Sequence, residues 1–178
     1  MLRGEGSAVV RGVTPDELFD FVLDPVQYLK ADTKLRAVVK LADTEDGQIA
    51  REEGSFLGFA RGSVVTRYRW KRPERIDVTL EHGIPRGMHN WFEIEPVAEG
   101  TRVTHVEEIE LGFWPLGALH DLLIRGWWQR SVEREVAEIK RLLEAGVRGS
   151  GPARVLDLGS APGNRNRRAP GGSTEESA

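Results

Sequence analysis

SVVTRYRWKRPERIDVTLEHGIPRGMHNWFEIEPVAEGTRVTHVEEIEL, residues 63–111, is the stretch that decides the fold, and its period is two. Val64, Thr66, Tyr68 and Trp70 fall on one face, with Val65, Arg67 and Arg69 on the other. Pro73-Glu74 turns the chain, after which Ile76, Val78, Leu80 and His82 share a face. Beyond Gly83-Ile84-Pro85, the set Met88, Asn90, Phe92 and Ile94 opposes His89, Trp91, Glu93 and Glu95. Glu99-Gly100 is the next turn, and Val103, His105, Glu107, Ile109 and Leu111 then alternate with Arg102, Thr104, Val106, Glu108 and Glu110. Strict alternation through successive short runs, broken by polar turns, predicts an antiparallel meander with one packed face and one wet face.

Upstream, the same period appears in Leu35, Ala37, Val39 and Leu41, and a strand returns over Ile49–Gly54 after the Asp46-Gly47 hairpin signal. Before that, Thr14-Pro15-Asp16-Glu17 reads as a helix start, with Thr at the N-cap, Pro at the first helical position and acids in the first turn. Leu18, Phe19 and Val22 form its apolar face, Asp24-Pro25 ends it, and a second short helix is predicted from Pro25 to Lys30. Ser7–Arg11 is a short β-like run. Downstream, Pro115 to about Gly146 is helical. Its stripes, Leu116-Leu119-Leu123-Trp127 and Trp128-Val132-Val136-Ile139-Leu143, do not line up at about 100° per residue. The face rotates near Gly126, which predicts a kink, a break or a change of packing partner.

Composition narrows the chemistry. The 178 residues suit one domain. There is no cysteine, which removes disulfides, thiolate catalysis, Cys-type zinc sites and iron–sulfur clusters. The formal charge is −3, and five Arg against three acids from Val147 onward leave the preceding part more acidic than the whole. That balance gives no electrostatic case for nucleic acid. No apolar run approaches the roughly 20 residues of a spanning helix, and the N-terminus carries no apolar signal-peptide core, so a cytoplasmic location is expected.

The order is a strand, two short helices beginning at Thr14-Pro15-Asp16-Glu17-Leu18-Phe19-Asp20-Phe21-Val22-Leu23-Asp24, a meander ending in Gly100-Thr101-Arg102-Val103-Thr104-His105, and one long amphipathic helix. This resembles the START-like superfamily of polyketide cyclases/dehydrases, lipid-transfer domains and plant hydrophobic-ligand carriers (SRPBCC). The resemblance covers about residues 5–146. It implies an α+β helix-grip fold: a curved antiparallel sheet of six or seven strands wrapped around the C-terminal helix, two short helices after the first strand, and a cavity between sheet and helix. The sequence departs from a common family feature after the second helix. A segment often marked by Trp and Pro there reads Gln27-Tyr28-Leu29-Lys30-Ala31-Asp32 here. The expected organisation is a START-like domain over residues 1–146 and a flexible Gly/Pro/Arg-rich tail over 147–178.

The strand phases nominate a site. Tyr68, His82, Asn90, His105 and Glu107 point inward among Trp70, Phe92 and Ile109, and Leu123 and Trp127 approach from the helix. A mostly apolar surface with a few placed polar groups suits a ligand pocket. A His beside a carboxylate also suits general acid/base work, which makes His105 and Glu107 the candidate catalytic pair. Trp91 is assigned to the outer surface. The apolar loop Phe56-Leu57-Gly58-Phe59 is read as a gate, a membrane contact or a packed strand edge. None of the four His is paired at metal-ligand spacing on a helix, although His82 and His105 can meet across strands, so neither metal nor cofactor is assigned. Val155-Leu156-Asp157-Leu158-Gly159-Ser160-Ala161-Pro162-Gly163 looks like the first motif of S-adenosylmethionine methyltransferases, but too little chain follows for a βαβ unit.

Three functions remain, one of them a partner-binding protein that would use the tail and a helix face, with any cavity vestigial. The first is binding of a small hydrophobic or aromatic ligand (lipid, sterol or polyketide-like) without chemistry. The alternative is a polyketide cyclase/dehydrase-like enzyme using His105 and Glu107 as an acid–base pair. The expected partner is a small molecule, with no nucleic acid and no membrane span, for a monomer or homodimer.

Overall fold

The computed structural model describes residues 1–56, 60–110 and 117–148. Its elements run β1 (Leu2–Arg11), α1 (Pro15–Leu23), α2 (Pro25–Tyr28), β2 (Leu35–Thr44), β3 (Gly47–Phe56), β4 (Ala60–Lys71), β5 (Arg75–His82), β6 (Gly87–Val97), β7 (Gly100–Glu110) and α3 (Gly117–Glu144). Seven strands form one curved antiparallel sheet in the order β1-β7-β6-β5-β4-β3-β2, so the first strand returns to pair with the last. The helix-grip expectation holds. The loop residues Leu57-Gly58-Phe59 and the tail from 149 onward, with its methyltransferase-like stretch, lie outside the described residues.

Helix α1 starts as its sequence dictates. Thr14 accepts a hydrogen bond from the Glu17 backbone N–H, and the Glu17 carboxylate accepts from the Thr14 N–H at 2.9 Å, closing a capping box. Asp24 ends α1 and caps α2, accepting from the N–H groups of Val26 and Gln27. Thr14→Ala removes the first cap and is expected to lower unfolding free energy by about 1 kcal/mol in urea titrations. A loss near zero would mean that Pro15 and the packing of Phe19 hold the helix unaided.

Three differences from the sequence reading have local causes. First, β1 is ten residues long rather than five. Leu2, Gly4, Gly6 and Ala8 face inward beneath α3, and glycine at two of these positions hides the apolar alternation. Second, β2 carries two irregularities against β3, between Leu35 and Ala37 and between Lys40 and Ala42. Each shifts the phase by one residue. Val38, opposite Glu52, therefore packs on the core in place of Ala37 and Val39, and Leu41 is exposed. Third, α3 is continuous through Gly126. The rotating stripe is a change of packing partner. Ile124 and Trp128 join Leu2 and Ile109 in a small cluster, whereas Val136, Ile139, Leu142 and Leu143 join the main core of α1, α2 and the sheet.

Candidate functional site

Between the two apolar clusters the interior is ionic. The inward phase of β7 places His105 and Glu107 side by side, and both are buried, at 1% and 3% exposure. Across from them α3 presents Glu135, 2% exposed, one position before Val136 on the helix's buried stripe. Lys34, just before β2, completes the group. Its ammonium lies 2.7 Å from Glu135 Oε2, 3.0 Å from Glu107 Oε1 and 3.6 Å from Asp32 Oδ1. Tyr28 donates its hydroxyl to Glu135 Oε1.

His105 is oriented from both sides. Its ring stacks on Phe92 with centroids 3.8 Å apart and planes within 5°. Nδ1 lies 3.0 Å from the Trp91 carbonyl oxygen, so it carries the proton and donates. Nε2 then faces Glu107 Oε1 at 3.2 Å and Glu135 Oε1 at 3.3 Å. Burial opposes a charge on the ring, but the Glu135 charge and the Glu107 hydrogen bond outweigh it and raise its pKa. Burial likewise works against ionisation of Glu107. The Lys34 ammonium and the His105 hydrogen bond overcome it and bring the Glu107 carboxyl to about 2. For Lys34, burial disfavours the cation, but Glu107, Glu135 and Asp32 together hold its pKa well above the usual value.

Asp32 behaves in the opposite way. Burial and the Glu135 charge outweigh the nearby Lys34 and raise its carboxyl to about 7. The folded state keeps this proton up to about pH 7, whereas the unfolded carboxyl releases it near 3.8. The folded protein therefore binds more protons in that window, and stability falls as pH rises through it. Asp32→Asn is expected to flatten the dependence of melting temperature on pH between about 4 and 7. An unchanged slope would place Asp32 in water rather than in the network.

A second polar group lies on β3 and β4. Glu52 Oε1 accepts from the Tyr68 hydroxyl at 2.6 Å and from Thr66 Oγ1 at 2.8 Å. Burial raises the Glu52 pKa, although these two bonds pull against it. Tyr68 is pushed well above its normal value, by burial first and the Glu52 charge second.

The structure thus brings together His105, Glu107, Phe92 and Asn90 as the phases implied, with Asn90 directly opposite Glu107. Tyr68 faces the same interior through Glu52, Trp70 packs on the main core, and Ile109 belongs to the smaller cluster. Trp127 only flanks that cluster, and its neighbour Trp128 is the buried one, with the Lys34 ammonium 5.7 Å from its ring centroid. The side chain of Leu123 lies outside the described residues. His82 is a correction: it is exposed and takes no part in the network. A β-bulge at Glu81 pairs inward Thr66 with Leu80 but outward Val65 with His82, which turns the ring to the outer face and away from His105. Trp91 lies on the outer face as expected, with the guanidiniums of Arg3 and Arg75 over its ring at 5.6 and 5.5 Å.

Tyr28, Asp32, Lys34, Glu52 and Glu135 were not identified from sequence. A signal existed for three of them. Glu135 interrupts an otherwise apolar helical stripe, and Tyr28 and Asp32 stand in the segment that departs from the family pattern. One ligand atom each of His105, Glu107 and Glu135 lie within 4.8 Å of one another, a set able to hold a divalent ion. In this arrangement the Lys34 ammonium supplies the positive charge between the two carboxylates.

Residues 1–144 match the family model described as polyketide cyclase/dehydrase and lipid transport, and the chain belongs to that family. Among solved structures, it resembles a Thermus thermophilus protein at 17% identity and TM-score 0.70, covering 81% of this chain and 99% of the other. A START superfamily protein from Mycobacterium smegmatis matches at 16% identity and TM-score 0.64, covering 79% and 98%. The Zhui aromatase/cyclase from a Streptomyces species matches at 14% identity and TM-score 0.64, covering 85% and 98%. These likenesses show the fold. No curated protein matches. Among the described residues no helix is long and apolar enough to cross a membrane.

Proposed function

We propose that the protein binds a small hydrophobic or aromatic molecule between the inner face of the sheet and α3. The observation that carries this reading is a gradient of burial along the inner face. Ile76, Val78, Phe92 and Ile94 are buried, but their inward-facing neighbours Val64, Leu80 and Met88, toward the β5–β6 loop, remain partly exposed. Apolar side chains that face inward yet stay accessible, beside a few fixed polar groups, are the ordinary makings of a pocket. Family membership supports the same reading. Native mass spectrometry of freshly purified protein, with denaturing extraction, is expected to show a stoichiometric adduct of this class. A clean apo mass, with no thermal shift across lipids, sterols and polyketide-like aromatics, would count decisively against it.

A second reading has its own observation. The imidazole of His105 is held at Nδ1 by the Trp91 carbonyl and faces two carboxylates with Nε2, which suits proton transfer in a cyclisation or dehydration. His105→Ala then abolishes turnover of an aromatic polyketide analogue while leaving its binding. If binding and turnover are both unaffected, the acid–base reading fails.

A further inference from the structure

We infer that the pocket selects ligands that donate a hydrogen bond at its polar end, such as a phenol, enol or alcohol, and rejects carboxylates. The inference rests on the ligand-binding reading and specifies what that ligand carries.

The argument is an inventory of donors and acceptors. Apart from the Asn90 amide, the polar side chains that face Glu107, Glu135 and Glu52 already spend their donors. Tyr28 donates to Glu135, and Tyr68 and Thr66 donate to Glu52. Lys34 is spent on Glu135, Glu107 and Asp32. His105 gives Nδ1–H to the Trp91 carbonyl and turns Nε2 to Glu107 and Glu135. Among the described residues, two buried acceptor atoms here have no partner, Glu107 Oε2 and Asn90 Oδ1. These are not scattered, because Asn90 and Glu107 are directly opposed in the β6–β7 register on the inner face. Asn90 is itself only partly buried and sits between buried Phe92 and the partly exposed Met88, so the pair lies where the network meets the accessible apolar surface.

A buried acceptor without a donor costs about 1–3 kcal/mol, and a partner that brings the donor recovers it. A neutral hydroxyl suits this pair. A ligand carboxylate brings no donor and would set its charge against the buried Glu107 carboxylate. A ligand with only ether or ketone oxygens leaves Glu107 Oε2 without a donor.

Three probes of one shape test this near neutral pH by isothermal titration of the full chain: 2-naphthol, 2-methoxynaphthalene and 2-naphthoate. 2-Naphthol is expected to bind at least about tenfold more tightly than either of the others, the equivalent of one hydrogen bond to a charged group. Asn90→Leu is expected to reduce that preference severalfold, and its melting temperature checks that the fold persists. Equal affinity for all three probes, or tightest binding of 2-naphthoate, overturns the inference and leaves the pocket standing. If none of the three binds and the purified protein is also free of adducts, the ligand-binding reading falls and takes this inference with it.

Discussion

Lys34→Met is expected to lower the unfolding free energy by about 3–5 kcal/mol near neutral pH, the usual consequence of removing one partner from a buried ionic group. The substituted side chain fills similar space but leaves Glu107 and Glu135 with no cation except His105. The sign with pH follows from the same contacts. The Glu107 carboxyl, at about 2 in the fold against 4.5 ordinarily, contributes stability above its ordinary value and loses it as pH falls through about 2. Without Lys34, burial is the dominant influence and raises that carboxyl, so the contribution disappears and the variant's deficit shrinks in acid. Urea unfolding near pH 7 and near pH 4 measures both. A deficit below about 1 kcal/mol near neutral pH would mean that water reaches the carboxylates and that the network is not an interior one.

Gly4→Val is the second large expected effect. A Cβ at Gly4 would lie 2.8 Å from Val132 Cγ2 and 3.0 Å from Trp128 Cδ1, and one at Gly6 would lie 3.1 Å from Val136 Cγ2. Valine adds two methyl groups beyond that contact. The helix must lift, at a cost of about 1–3 kcal/mol from overpacking, or a fall in melting temperature of roughly 2–4 °C for each of those kcal/mol. The effect extends to the site. Gly4 pairs with Glu107 and Gly6 with His105, so the glycines let α3 approach closely enough for Glu135 to sit 3.3 Å from His105 Nε2. Lifting the helix separates those groups, and the His105 pKa followed by NMR is expected to fall, since the Glu135 charge no longer offsets burial. A stable Gly4→Val protein with an unchanged His105 titration would show that α3 tolerates the bulk by local rotamer changes alone.

The pattern of what the sequence revealed follows the reach of its signals. Alternation over β4 to β7 placed His105, Glu107, Asn90 and Phe92 on one inner face, because within a regular strand the period fixes the side. It failed at His82 and over Ala37 to Leu41, where a bulge inserts a residue and no turn residue announces it. It also failed for β1, where the inward positions are glycines whose reason lies on a helix more than 120 residues away. The ionic network was hidden for a related cause. Lys34 and Asp32 lie in a loop segment with no period to read, and Glu135 is legible as a site residue only once its helix is laid over β7. A charged residue on an apolar stripe is a local oddity, but its partners are set by tertiary geometry.

The pairing of Leu2 with Ile109, at the two ends of the sheet's chain path, also sets a timetable. On the ribosome, β1 precedes its partner β7 by about 100 residues, which is roughly 5–20 s at ordinary synthesis rates. The hairpins from β2 to β7 form meanwhile from near neighbours, but the closing strand and α3 join only at the end. Glu135 follows His105 and Glu107 in the chain, so the ionic interior can be completed only once α3 has been made.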